Sequence, residues 1–361
     1  SRTIKAGEWN MIGIPGDPQG YRNPSSFLGS GNYALRKWDP TKNEEDPILS
    51  KYQTDFSLYN GDGFWVLPFG DDISFDLTVE IDDTTDYVTV HIDNGWNQIG
   101  VPFNHNTVWS LVKIRNPETD QIVTMNSAAD QGWIVGGEAY GYDNGYIQVS
   151  QSNDSLEPGY GYFVKCGDVS VMPQGCDLLF NPSTDPSYSF SRVIRQTEYS
   201  MKLMISANVG DLKDEDNHVG IISIAREGYD GMDKPEPPTI EPYVSLYFPK
   251  NEWGIHSGRY ANDVRTNFEG SEDWEFAVET DMVGSQVEIS FPNIDDLPSS
   301  YSVSVVDMSN GALINPRGDT YKFVADDSPR LFKVNVVADE VDEQVLSCNI
   351  SEGWNLITIP V

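Results

Sequence analysis

A strand-like motif occurs three times in this chain and constrains its fold more than any other feature. The copies contain Trp9, Trp96 and Trp354 and share the pattern Trp-Asn-x-Ile-x-(Ile/Val)-Pro, with a glycine one or two residues before the tryptophan. Matches of this length indicate an internal repeat. Successive side chains of a strand point to opposite faces, so the aliphatic residues share one face and the tryptophan lies on the other. The aliphatic face is typical of a core, and the proline ends the strand because it cannot donate to a ladder.

A second element recurs after the motif and extends the repeat. It reads Gly-x-Gly followed by aromatic residues, and it begins at Gly61 and again at Gly159. Its glycines are expected to allow a positive φ or a close approach of two backbones. Residues 1–90 and 91–180 are therefore predicted to be two small β modules of one fold, with Trp9 equivalent to Trp96.

The rest of the chain has the pattern of an all-β protein. No segment of twelve or more residues has helical periodicity, and short alternating apolar runs are bounded by Gly, Pro, Asn and Asp. Residues 193–338 contain eight period-two strands, which predicts an antiparallel β-sandwich.

Residues 339–361 read as an acidic tether followed by the opening strand of a third motif copy. A single strand has to pair with something. We expect Trp354, Ile357 and Ile359 either to pair within this chain or to form an assembly strand donated to the next subunit. The third alternative is that these residues begin a further module of a longer precursor protein. Motif copies lie at both ends of the sequence, which suggests that it is a piece of such an exported precursor.

The charge excludes several classes of partner. A formal net charge of −33 argues against binding to nucleic acid or to an anionic membrane surface. It favours solubility, divalent cations or a high-salt environment. No run of eighteen apolar residues occurs, so no membrane span is predicted.

Two of the three cysteines are close in sequence. Cys166 and Cys176 flank a short valine-containing run that is predicted to be a hairpin, and we expect a disulfide between them, with Cys348 left over. Such a pair fits an extracytoplasmic protein, whereas three reduced thiols in a cytosolic protein is the alternative.

The motifs also carry a resemblance. The Trp-Asn strand followed by Gly-x-Gly-aromatic resembles a repeat of large secreted and surface proteins of bacteria and some archaea. The run Gly-Tyr-Asp-Gly-Met-Asp-Lys-Pro-Glu-Pro-Pro at 228–238, together with the sequences at 243–248, 260–265 and 321–323, is similar to a β-sandwich near the C-terminus of such exported proteins. The resemblance implies an extracellular or cell-surface, modular, structural or adhesive role.

Sequence signals for catalysis are poor. The histidines do not form the pairs typical of zinc sites, and neither a Gly-x-Ser-x-Gly elbow nor a phosphate-binding loop occurs. Acidic residues are so abundant that no particular pair indicates glycoside hydrolysis. The chain is therefore predicted not to be an enzyme.

An acidic run predicts a calcium site. Residues 211–217 read as a turn between two strands, and hard cations need oxygen ligands of the kind that this run supplies. The candidate ligands are Asp211, Asp214, Asp216 and Asn217. The alternative is a solvated acidic turn.

Aromatic residues predict a second kind of binding site. Tyr140, Tyr142 and Tyr160 cluster in the second module, and the motif tryptophans lie on a mixed face. If these rings were exposed on one surface, they would stack on sugars; the alternative is that they form the core of a small β module.

These features favour a non-catalytic extracellular structural or adhesive protein, such as a subunit or fragment of a surface layer or fibre. Its partners would be other copies of itself or other surface proteins, with polysaccharide as a further candidate. The alternative is a carbohydrate-binding accessory region of a secreted hydrolase.

Overall fold

The computed structural model describes residues 2–29, 31–42, 50–75, 79–80, 87–143, 145–150, 154–182, 198–318 and 320–338. Strands dominate these ranges, which confirms the predicted all-β fold. The α-helices of the described ranges are two short ones, α1 (Ser25–Leu28) and α2 (Met125–Asp130). No helix in the described part of the chain is long and apolar enough to cross a membrane.

The first module has a two-stranded and a four-stranded antiparallel sheet. Their orders are β1-β6 and β2-β5-β3-β4. The strands are β1 (Arg2–Ile4), β2 (Asn10–Gly13), β3 (Tyr33–Trp38), β4 (Tyr52–Gln53), β5 (Gly63–Pro68) and β6 (Ile73–Phe75).

The second module repeats this order and adds strands in its middle. Its four-stranded sheets are β8-β15-β12-β13 and β11-β10-β16-β7, and β9 pairs with β14. The strands are β7 (Val88–Ile92), β8 (Gly95–Gly100), β9 (Thr107–Val108), β10 (Lys113–Arg115), β11 (Ile122–Thr124), β12 (Ala139–Tyr142), β13 (Tyr146–Val149), β14 (Ser155–Leu156), β15 (Gly161–Cys166) and β16 (Cys176–Phe180). Because β7 pairs with β16, residues 88–90 belong with this module and not with the first.

The two modules share one strand register. Asn10 lies opposite Val66 in β2 and β5, and the equivalent Asn97 lies opposite Val164 in β8 and β15. Gly61 and Gly159 each lie two residues before the Gly-aromatic strand begins, and both have a φ of +80°. Of the two alternatives expected for the glycines of this element, Gly61 and Gly159 have the positive φ, and the same local geometry precedes the equivalent strand in both modules.

The asparagine of the motif has a structural role that the sequence analysis did not assign. The Asn97 side chain accepts from the backbone N–H of Asp93 (3.0 Å) and donates to the carbonyl oxygens of Asp93 (2.7 Å) and Gly95 (2.9 Å). Asn10 makes the same set of bonds to Lys5 and Glu8. Each asparagine therefore closes the turn that precedes its strand, which satisfies backbone groups at a buried position.

Glycine backbones join the two modules around an approximate two-fold axis. The N–H of Gly13 donates to the carbonyl of Gly159 (3.1 Å), and the equivalent N–H of Gly100 donates to the carbonyl of Gly61 (2.7 Å). A Cβ on Gly100 would lie 2.6 Å from the Cα of Gly13. The contact is self-complementary, as in an isologous dimer interface, although both halves belong to one chain.

The tryptophan faces of the two modules meet in a common core, which we call the shared aromatic layer. Trp96 is buried in it and Trp9 is half-buried, so the motif indoles pack inside the protein. The opposite, aliphatic faces build the separate module cores, as predicted for Ile12 and Ile99. The layer consists of Met11, Trp38, Tyr52, Trp65, Trp96, Tyr140, Phe163 and Ile240, with Trp9, Tyr142 and Tyr146 at its margin.

The third unit is a β-sandwich over one large core. Its sheets have the orders β21-β18-β17-β23-β26 and β20-β19-β22-β27-β24-β25. The strands are β17 (Met201–Val209), β18 (Leu212–Ile221), β19 (Val244–Lys250), β20 (Gly258–Tyr260), β21 (Asn262–Arg265), β22 (Gly270–Thr280), β23 (Gln286–Ser290), β24 (Tyr301–Asp307), β25 (Ala312–Ile314), β26 (Tyr321–Val324) and β27 (Arg330–Ala338).

The sandwich differs from the prediction in two respects. Three short strands, β20, β21 and β25, were not among the eight predicted, because three or four residues are too few for an alternating apolar pattern. One pair, β18 with β21, is parallel, so the sandwich is not purely antiparallel.

Candidate functional site

One loop of the sandwich extends across both modules. We call residues 229–242 the strap; it connects β18 to β19 and contains four prolines, which lack the N–H needed to pair in a sheet. Its base is fixed by Asp233, whose fully buried carboxylate accepts from the backbone N–H groups of Val264 (3.0 Å) and Asp230 (2.9 Å). The strap contains most of the 228–238 run, which carries part of the resemblance described above.

Side chains of both modules donate to strap carbonyls. The Tyr52 hydroxyl donates to Thr239 (2.7 Å), the Trp9 indole donates to Glu241, and the Tyr146 hydroxyl donates to Pro238. In the other direction, Lys234 forms an ion pair with Glu138 of the second module (2.8 Å), and the Tyr229 hydroxyl accepts from the N–H of Gly136 (3.1 Å). Ile240 enters the shared aromatic layer. The strap therefore connects the sandwich to both modules.

A cleft of about 520 Å³ lies where the strap, the second module and the sandwich meet. This volume is within the usual range for small-molecule sites. The module wall carries Tyr140, Tyr142 and Tyr146, the sandwich wall carries Asp214 and Asp216, and the strap contributes Glu236.

Glu236 is the most deeply placed acid of the cleft. Its side chain is 8% exposed and accepts one long hydrogen bond, from the Ser245 hydroxyl at 3.5 Å. Burial raises the pKa of this carboxyl well above its ordinary value, and the nearby Asp214 and Asp216 raise it further. Arg259 opposes this pKa shift, but its own ion pair is with Glu279.

Asp214 and Asp216 form the acidic part of the sandwich wall. Burial raises the pKa of Asp214 to about 7, although its carboxylate accepts from the Leu246 N–H (2.6 Å) and from the Asn217 amide. Burial, and then Glu215, raise the pKa of Asp216. The cleft thus holds three carboxyl groups that are costly to ionise together.

Two neutral groups complete the walls. Burial lowers the pKa of His218 to about 3, so its imidazole is uncharged at neutral pH. Tyr140 is 4% exposed, and its hydroxyl has no hydrogen-bond partner among the described residues. Burial, followed by Glu138 and Glu236, raises the pKa of this hydroxyl well above its ordinary value. Burying a hydroxyl group without a hydrogen-bond partner costs free energy. A ligand in the cleft could supply the missing partner of Tyr140.

The predicted calcium ligands are not arranged as one turn. Only Gly210 and Asp211 lie between β17 and β18, so Asp214, Asp216 and Asn217 belong to β18. The prediction of a turn over 211–217 is wrong because the strand continues through the acidic residues, with an irregularity of register opposite Ile205 and Ala207. Asp214 and Asn217 bind one another, and Asp216 faces the cleft. Among the described residues, no group of three or more His, Cys, Asp or Glu could hold a metal ion.

The predicted tyrosine cluster is divided. Tyr140 is buried, and Tyr142 packs edge-on against Trp65, with ring centroids 4.9 Å apart. Tyr160 is 42% exposed and bridges to Ile12 at the junction of the modules, away from the cleft. The three rings therefore do not form one exposed surface, because Tyr140 and Tyr142 of β12 pack in the shared aromatic layer, whereas Tyr160 precedes β15 at the module junction.

The predicted hairpin at the cysteines is wrong. Cys166 ends β15 and Cys176 begins β16, and these strands belong to different sheets. The two residues are close, as expected, but both are free, buried thiols with Sγ atoms 3.3 Å apart. A disulfide needs about 2.05 Å between its sulfurs, so the predicted bond is not formed in this structure.

The predicted assembly strand lies outside the described residues. Trp354, Ile357 and Ile359 belong to this part of the chain, as does Cys348. Strand donation, self-pairing and a longer parent chain all remain predictions.

We predict that the protein loses stability between about pH 6.5 and pH 8. Burial raises the pKa of Asp233 to about 8 and that of Asp214 to about 7, from an ordinary 3.8. In this window the folded state therefore holds more protons than the unfolded state, and the free energy of unfolding falls as pH rises. His218 is neutral in the folded state, and in the unfolded state it loses its remaining proton just above its ordinary pKa of 6.5, so it offsets only a small part of this slope. Urea unfolding should show a loss on the order of 2 kcal/mol over this window.

The matched variants for this pH prediction are Asp233→Asn and Asp295→Asn. Asp295 is an exposed carboxylate whose ion-pair partner among the described residues is Arg317, so its variant should keep the wild-type slope. Asp233→Asn should be less stable at pH 6.5, because an amide cannot accept from both N–H groups, and its slope should be shallower. A wild-type stability that is flat or rises from pH 6.5 to pH 8 would contradict the prediction.

Glu236 and Tyr146 line the cleft but were not among the residues predicted from the sequence, and Glu236 is the more important of the two. It lies in Lys-Pro-Glu-Pro-Pro, where the following residues are prolines without N–H groups. The Glu236 carboxylate cannot accept hydrogen bonds from the next two backbone positions, because both are prolines. This was the sequence feature that could have identified Glu236.

Comparison with known proteins finds no matching family model, no similar curated protein and no similar solved structure.

Proposed function

We propose that this chain is a non-catalytic structural or adhesive unit of an extracellular or cell-surface protein. The observation that carries the proposal is the way its three β units are joined. Backbone contacts at Gly13 and Gly100, the shared aromatic layer and the strap connect them through buried groups. A unit of this kind transmits force or presents a surface without hinging at its junctions. This property suits a surface layer, a fibre or an adhesin.

The charge supports the same proposal. A net charge of −33 favours solubility and opposes non-specific association of copies outside the cell. The proposed partners are other copies of this chain or other surface proteins.

Localisation in the native source tests the proposal. An antibody raised against the folded chain should label intact cells or extracellular layers and fibres in immunogold electron microscopy, with a known cytosolic protein as the negative control. Label that is found only after permeabilisation would overturn the proposal. A polysaccharide pull-down of the same material separates it from the accessory-region alternative, which predicts retention on a glycan and no assembly.

A further inference from the structure

On the described walls of the cleft, the carboxyl groups outnumber the lysines that could pair with them. Two of its lysines are already paired: Lys213 with Glu215 (3.2 Å) and Lys234 with Glu138 (2.8 Å). Lys202 is the third lysine on the described walls, and it faces Asp216. Against this one lysine stand the carboxyl groups of Asp143, Asp214, Asp216 and Glu236, and burial favours the protonated form of Asp214 and Glu236.

Glu236 is central to this imbalance. It is more than nine-tenths buried and forms no ion pair within the described part of the chain, in contrast to the buried Asp263, which pairs with Lys250 and Arg265. A buried carboxylate normally has a cationic partner. Glu236 has no such partner among the described residues, so a cationic ligand in the cleft would stabilise the ionised form of its carboxyl group.

The aromatic and apolar residues of the cleft are suited to pack against the carbon skeleton of an organic ligand. The rings of Tyr142 and Tyr146 lie edge to face, 5.4 Å apart, beside the apolar side chains of Ile240 and Pro237. Aromatic faces attract ammonium groups as well as apolar atoms. The unpartnered hydroxyl of Tyr140 is a further polar group at the same wall.

We propose that the cleft binds a small organic amine, whose ammonium group pairs with Glu236 while its body packs against Tyr142 and Tyr146. The tyrosine rings and the apolar side chains beside Glu236 are the reason for proposing an organic cation. The Tyr140 hydroxyl accepts a hydrogen bond from the bound ligand. The proposal does not depend on the cellular location of the chain.

Two sources of such an amine have the same chemistry: a lysine derivative and an amino sugar. Isothermal titration of the full chain with Nα-acetyl-lysine methylamide and with glucosamine distinguishes them. The neutral analogues Nα-acetyl-norleucine methylamide and glucose are the matched probes. Titrations at about 0.15 M salt limit non-specific attraction to the acidic surface. At least one amine should bind, and its neutral analogue should not.

Three variants locate the binding. Glu236→Gln should weaken amine binding by at least about tenfold, because a charge-assisted bond is lost. Tyr140→Phe should weaken it about threefold to tenfold through one neutral hydrogen bond. Asp295→Asn removes the same charge from an exposed site and should bind as the wild type does.

Glu236→Gln should also melt at no lower temperature than the wild type at pH 8, since it replaces a buried acid without a cationic partner by a neutral group of the same shape. If this variant fails to fold, the Tyr140→Phe titration decides.

The proposal is overturned by unchanged affinity in both variants or by equal binding of the neutral analogues. It is also overturned by displacement of the amine by millimolar Ca²⁺ or by no binding up to about 10 mM of either amine.

Discussion

Gly13→Ala should destabilise this protein by about 3 kcal/mol or more, the upper end of what overpacking costs. A Cβ at this position would lie 2.2 Å from the carbonyl oxygen of Tyr160 and 2.8 Å from the Cα of Gly100. Both neighbours are backbone atoms of the second module, so no side chain can rotate away. The modules can accept the methyl group only by separating, which would also break the hydrogen bond from Gly13 to Gly159.

The matched control is Gly20→Ala. No atom lies within 4 Å of a Cβ placed there, and neither Gly13 nor Gly20 has a positive φ. Urea unfolding of the two variants therefore isolates the effect of the close approach, and the control should stay within about 0.5 kcal/mol of the wild type. Equal stability of the two variants would show that the modules are not held together at this point.

Trp65→Ala should cost about 3–5 kcal/mol, as removal of a large buried aromatic side chain does. Trp65 is fully buried at the centre of the shared aromatic layer. Its ring packs on Trp9 of its own module and on Tyr142 and Phe163 of the second module. The loss should therefore not be confined to the first module.

Thermal unfolding and limited proteolysis together test this prediction. Phe69→Ala is the control, because Phe69 is largely exposed and its removal should change little. Trp65→Ala should lower the midpoint of the whole transition and expose the strap to protease, since the layer supports Ile240. A variant in which only one module melts early, with the strap still protected, would refute the idea that the three units behave as one body.

The cleft is a consequence of the same packing. Tyr142 contacts Trp65 in the layer and also lines the cleft, so the module junction and the proposed amine site share a wall. Glu236 is carried there by the strap, between the anchor at Asp233 and the carbonyls that accept from Tyr146 and Tyr52. Weakening the layer should therefore also weaken amine binding, whereas Phe69→Ala should leave it unchanged.

Local patterns in the sequence predicted the fold class and much of the strand detail. Alternation placed Ile12 and Ile99 in module cores, and the shared Gly-x-Gly-aromatic pattern identified Gly61 and Gly159 as equivalent turns, which have a positive φ. Such features are recoverable because strand periodicity and glycine conformations depend on a few neighbouring residues. The same locality explains the errors at 211–217 and at the cysteines, where a polar strand and a crossover between sheets look like a turn and a hairpin.

Contacts between distant residues were decided by the tertiary structure alone. The motif repeats in the sequence, but only packing shows that Gly13 meets Gly100 and that the tryptophan faces close on each other. The cleft brings Tyr140, Asp214 and Glu236 together from three separate segments. The neighbouring sequence does not predict which groups these side chains contact or how deeply they are buried. Burial and charge balance depend on which surfaces meet after the strands have formed.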